Sequence, residues 1–173
     1  MKTKSMTLFL CSLSVLSLGS LPQPISASSG SATFLYLAGS GGVEGPDIAR
    51  AGNGDTIEVA GSGFLSIHPN SVSGGGTFII KDPLGTPIDS GNWTAEKLNS
   101  FVPYDSLAQF GAPDVFGGKA VIQVALSNGS TAILTVDCAI FAPPGHTEGV
   151  TVNIQSGLNF NKEIFGTTLF IKQ

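Results

Sequence analysis

Cysteine is almost missing from this sequence. There are two, Cys11 and Cys138. Cys11 lies in the leading apolar stretch, so no internal disulfide staples the remainder of the chain, and the fold must stand on its apolar core. Charge is scarce as well: Asp, Glu, Lys and Arg make up 12% of the 173 residues, about half the usual ~25%. Beyond Lys2 and Lys4 at the front, six basic residues face twelve acidic ones, a net charge of −6. A sparsely charged, acidic chain without a basic run is repelled by nucleic acid and by anionic membrane, which sets both aside as partners. Ser, Thr, Asn and Gly are left to cover the surface. Long apolar runs are missing too. Met6–Leu18 is uncharged and mostly apolar, but it falls short of the ~20 residues that span a bilayer. No helical apolar period persists anywhere in the chain.

What stands at the front is an address. Lys2 and Lys4 precede Met6–Leu18, Pro22 and Pro24 break it, and Ile25-Ser26-Ala27 offers a small residue ahead of Ser28. This is the layout of a secretory signal peptide. Residues 1–27 are read as the signal and 28–173 as a single all-β domain, secreted or extracellular, and periplasmic if the host is Gram-negative. After cleavage no membrane attachment is expected. Leu8-Phe9-Leu10 puts Leu where a lipoprotein signal needs a small residue, so Cys11 is not read as an anchor. A domain of 146 residues buries ~68–70% of its unfolded surface and needs no staple. Cys138 continues the alternation Ala132, Leu134, Val136, which predicts a buried small hydrophobe.

Period-2 patterning takes the place of helix. Strands are expected near Thr33–Ala38, Thr56–Ala60, Thr77–Lys81, Ile88–Leu98, Lys119–Ser127, Thr131–Ile140, Val150–Gln155 and Phe165–Lys172. Val150, Val152 and Ile154 share one face, while Thr151, Asn153 and Gln155 share the other, as in a strand wet on one side. Across Lys119–Cys138, a three-residue Asn128-Gly129-Ser130 loop joins the apolar rows by pairing Leu126 with Ala132 and Val124 with Leu134. A two-residue loop would put those rows on opposite faces. Asp82-Pro83-Leu84-Gly85 suits a type I turn. Ala51-Gly52-Asn53-Gly54-Asp55 reads as a hairpin turn with Asn53 or Gly54 at positive φ. Ser100–Gly118, with Pro103, Pro113 and several aromatics, reads as a long connection with one helical turn at Asp105–Phe110, either a plug over an open end of the sheet, which is favoured, or a ligand lid. The pattern amounts to an antiparallel all-β fold of about eight strands. A closed barrel is favoured over a two-sheet sandwich, whose edges would need charged guards that this sequence lacks.

Motifs for chemistry are few. Gly39-Ser40-Gly41 lacks the strand-turn-helix setting of a nucleophile elbow. His146 and Glu148 stand at alternate positions in a Pro-Gly loop and are read as solvated; no metal-ligand set accompanies them, so no metal, no cofactor and no catalytic residue is assigned. Asn92-Trp93-Thr94 and Asn128-Gly129-Ser130 are glycosylation sequons, with Asn92 and Asn128 as acceptors in a eukaryotic host. Candidate ligand contacts are the aromatics Trp93, Tyr104, Phe110 and Phe116 around a barrel mouth.

Gly91-Asn92-Trp93 resembles the G-x-W signature of lipocalins, barrels that carry small apolar ligands. There the motif lies on the first strand and a disulfide supports it; here strands precede it and the cysteine count forbids the disulfide, so no binding residue is transferred. A wider pattern is similar to uncharacterised small secreted microbial proteins: Ser73–Phe78, Ser90–Ala95, Val136-Asp137-Cys138 and Thr168-Leu169-Phe170. It implies an all-β exported domain and no particular activity. Three functions stay open. One is binding of a small apolar or carbohydrate ligand. Another is a structural or interaction role at a cell surface or host interface. The last is an isomerase or cyclase using a barrel carboxylate, with Glu58 or Asp137 as candidates. Alternation places both carboxylates opposite the apolar row, toward solvent. The sequence does not set the oligomeric state.

Overall fold

The computed structural model describes residues 31–173; the expected signal peptide, its cleavage point and Cys11 lie outside the described residues. The described residues are all-β and antiparallel. They form ten strands and one short 3-10 turn: β1 (Thr33–Ala38), β2 (Asp47–Ala51), β3 (Thr56–Ser66), β4 (Ser71–Lys81), β5 (Pro87–Leu107), β6 (Ala112–Leu126), β7 (Thr131–Cys138), β8 (Gly149–Ile154), β9 (Asn159–Phe165) and β10 (Thr168–Lys172).

The alternation seen in the sequence maps directly onto the faces. On β7, Ala132, Leu134 and Val136 are buried while Thr131, Ile133 and Thr135 are only partly covered. From β2 to β9 each strand pairs with the next, and β2 pairs with β9, so eight consecutive strands close into a hydrogen-bonded ring. β3, β4, β5 and β6 are longer than the rest and run past one end of it. There β1 and β10, paired with each other, join β3 to β6. Among the described residues every strand therefore has a neighbour on both sides. One apolar core runs through both parts. In the extension it is built on phenylalanines: Phe34 meets Phe101 and Phe116 edge-on with centroids 5.0 and 5.5 Å apart, and Phe101 lies 4.8 Å from Phe170.

Several elements differ from the sequence reading. Ser100–Gly118 is not a plugging loop. β5 continues to Leu107 and β6 starts at Ala112, with the 3-10 turn Ala108–Phe110 between them. Pro103 is tolerated because the ladder is bulged between Pro103 and Ser106, where a missing N–H costs least. β2 and β9 differ from the expectation, because Asp47 and Arg50 in the one and Asn159, Asn161, Lys162 and Glu163 in the other break up their apolar pattern. The expected strand Phe165–Lys172 breaks at Gly166, whose φ of 134° is open to glycine and to little else.

The β6–β7 hairpin does join the two apolar rows, in a register two residues away from the expected one. Val124 faces Ala132 and Ile122 faces Leu134. The loop is Ser127-Asn128-Gly129, closed by Leu126 N–H to Ser130 O at 2.8 Å, with Gly129 at positive φ. The β2–β3 and β4–β5 turns are closed in the same way, with Gly54 and Gly85 at positive φ. Asp82 anchors the second of these turns by accepting from Leu84 and Thr86 N–H through Oδ1.

Candidate functional site

The interior of the ring is full. Between Ile57, Phe78, Trp93, Leu126 and Leu134 a space of about 10 Å³ remains, room for one water at most. Trp93 is 2% exposed, and its indole Nε1 has no hydrogen-bond partner. The ring lies over Gly61, where a Cβ would collide with Trp93 Cζ2. The other three aromatic candidates sit elsewhere. Phe116 belongs to the phenylalanine cluster of the extension. Phe110 is 72% exposed at the β5–β6 turn. Tyr104 joins a polar cluster on the outside of the sheet. The four are not brought together around one mouth. Asn92 is exposed on β5, and Asn128 is exposed at the hairpin tip, where its Nδ2 donates to Asp89 Oδ2 at 2.8 Å.

That polar cluster centres on Asp137. It lies on the outer face of β7, opposite Lys119 of β6, the side that alternation predicts. The carboxylate is nonetheless buried, 2% exposed, because Tyr104 and the loop after β7 fold over it. Lys119 Nζ lies 3.1 Å from Asp137 Oδ2, and His146 Nδ1 lies 2.9 Å from the same oxygen. The Tyr104 hydroxyl stands 3.3 Å from Asp137 Oδ1 and 2.8 Å from His146 Nδ1. These contacts are mutually consistent when Nδ1 carries the imidazole hydrogen and shares it between carboxylate and phenol oxygen, while the phenol donates to Oδ1. Burial and the Asp137 charge push the Tyr104 phenol up to about 12, so it stays a donor.

Glu148, two residues beyond His146, ties the same loop back to its own start and to β10. Its Oε2 accepts from Ala139 N–H at 2.6 Å, and its Oε1 accepts from Thr168 N–H at 2.6 Å and from the Thr168 hydroxyl at 2.8 Å. His146 and Glu148 are therefore engaged, not solvated as expected. Their alternate spacing was the visible signal; the acceptor on β7 and the donors on β10 were too far away in sequence to be read.

Behind the loop lies Asp47, which sequence reasoning did not single out. It is fully buried, and neither carboxylate oxygen has a hydrogen-bond partner. Burial pushes its carboxyl up to about 7; the Thr167 backbone opposes this and the Glu148 charge adds to it. The Cys138 thiol is buried as expected and pushed up to about 11, chiefly by desolvation. Glu58 is half-buried on the outside of β3, ion-paired with Lys81. Neither Glu58 nor Asp137 lines the interior space. Among the described residues no group of three or more His, Cys, Asp or Glu is placed to hold a metal ion.

The outer face of β6 to β9 carries a shallow groove of about 340 Å³ lined by amide, hydroxyl and aliphatic side chains. No protein-family model matches the chain, and no match is found among curated proteins or solved structures.

Proposed function

We propose that the chain is an exported β-barrel, secreted once residues 1–27 are removed, that works through its outer surface as a binding or interaction protein at a cell surface or host interface. The observation that carries this reading is the packed interior. A space of about 10 Å³ is far below the ~300 Å³ at which small-ligand pockets begin, so an apolar ligand has no interior seat. The ring of eight paired strands supports the barrel over the sandwich. The tight hydrogen-bonding of Asp137, Tyr104, His146 and Glu148 favours a fastening role for that cluster over a catalytic one.

Nuclear magnetic resonance titration tests the reading. Palmitate, retinol and neutral tetrasaccharides are added separately to the labelled protein. Shift changes confined to amides of outward-facing residues are expected. Shifts in core methyl groups together with quenching of Trp93 fluorescence would replace surface action with an interior carrier.

A further inference from the structure

We propose that the groove on β6–β9 binds a neutral oligosaccharide, an assignment that rests on the surface-acting reading and gives it a ligand class. The register lays a single row of directly opposed residues across four strands. Gln123 of β6 faces Ile133 of β7, Ile133 faces Asn153 of β8, and Asn153 faces Asn159 of β9. At ~4.8 Å between neighbouring strands the row is roughly 14 Å long, the length of a short oligosaccharide. Thr131 and Gln155 flank it, tied by Gln155 N–H to Thr131 O at 2.8 Å. The groove's volume of about 340 Å³ falls within the ~300–1,000 Å³ range of small-ligand sites.

The lining selects the ligand chemistry. It holds four side-chain amides and one hydroxyl set among the aliphatic Ala132, Ile133 and Ile154, and no charged group. Gln123 Nε2 is committed to Glu96 Oε2 at 3.1 Å, whereas the amides of Asn153, Gln155 and Asn159 enter no such pairing among the described residues. Each amide offers an acceptor oxygen and two donor hydrogens. That is the complement of sugar hydroxyls, which donate and accept from one atom. Ile133 supplies an apolar floor between the amides for the C–H face of a pyranose. A wholly apolar ligand would strip water from the amides and leave them unpaired, at a cost. An acidic glycan meets the net charge of −6 carried beyond Lys4 and no cation in the lining. Peptide capture by strand addition needs an unpaired edge, and the groove lies on a sheet face whose strands are paired on both sides.

Saturation-transfer spectroscopy and calorimetric titration with cellotetraose, maltotetraose, mannotetraose and chitotetraose, alongside tetragalacturonate, form the test. At least one neutral tetrasaccharide is expected to bind and the galacturonate is not. The pair Asn153→Ala and Asn159→Ala should weaken binding about tenfold, with Lys119→Ala at the remote cluster leaving it unchanged. These are surface positions, and an unaltered amide spectrum of the variant confirms its fold. Tetrasaccharide binding that survives both Asn153→Ala/Asn159→Ala and Gln155→Leu overturns the groove but leaves surface action standing. Silence from all four neutral sugars overturns the ligand class in the same way. A response from core methyl groups and Trp93 overturns the surface reading itself.

Discussion

Asp47 is the residue with the largest stake in solution conditions. Its carboxyl ionises near ~4 in an unfolded chain and is pushed up to about 7 by burial in the fold. Folding therefore takes up a proton between those values, and this residue's contribution to stability declines as pH rises from ~4 to ~7, by up to ~4 kcal/mol. Asp47→Asn keeps the shape and removes the ionisation. Urea unfolding at about pH 5 and about pH 8 should show a smaller pH dependence in the variant and a gain over the parent at the higher pH. Little of this was legible in the sequence. Asp47 follows Gly45-Pro46 and opens a strand too irregular to recognise, so its inward direction had no pattern to reveal it. Asp137 was half legible: alternation gave the correct face of β7. Its burial depends on Tyr104 and His146, brought in from positions 33 and 9 residues away, and no local rhythm encodes that.

At the scale of elements, the loop between β7 and β8 is held by His146 and Glu148, two residues apart near its β8 end, and Glu148 also reaches back to Ala139 at its start. Glu148 accepts from two backbone N–H groups and a hydroxyl, so Glu148→Ala leaves two partly buried backbone donors without a partner. A loss of about 2–4 kcal/mol is expected, and hydrogen exchange should accelerate at the Ala139 and Thr168 amides while β4 and β5 keep their protection. The hairpins show what sequence rhythm can and cannot specify. Side-chain parity demanded that the apolar rows of β6 and β7 meet, and they do. Parity is blind to a shift of two residues, so the choice between Asn128-Gly129-Ser130 and Ser127-Asn128-Gly129 fell to turn geometry, with Gly129 taking the left-handed position. The aromatics of Ser100–Gly118 misled for a related reason: prolines and glycines usually punctuate strands, yet a bulge at Pro103 lets the ladder continue through them.

Taken whole, the described residues keep Cys138 and Trp93 within one packed core. Cys138 is completely buried and its thiol is pushed up to about 11, so the reactive thiolate is rare at neutral pH. Native protein freed of residues 1–27, and so of Cys11, should resist alkylation by iodoacetamide for as long as it stays folded. Titration with urea should release labelling in step with the loss of near-ultraviolet dichroism, and labelling ahead of that transition would reveal local opening at the end of β7. The fold class was legible because alternation survives in nearly every long strand. The closure of the ring was legible only indirectly, through the shortage of charges to guard an edge. The strands that complete it, β2 and β9, were the two that the sequence concealed.

That concealed pair is also the seam that closes the ring. Each of the other seams in the ring joins neighbours along the chain, so a turn can start it. Ile48 must instead wait for Phe165, across the greatest sequence separation in the ring, and the ladder is irregular at two places. Long-range pairing carries most of the chain-entropy barrier and slows acquisition of the native state. Seven joints of the ring thus close between neighbours along the chain, and the eighth, with the widest loop to close, should set the pace at which the whole becomes tight.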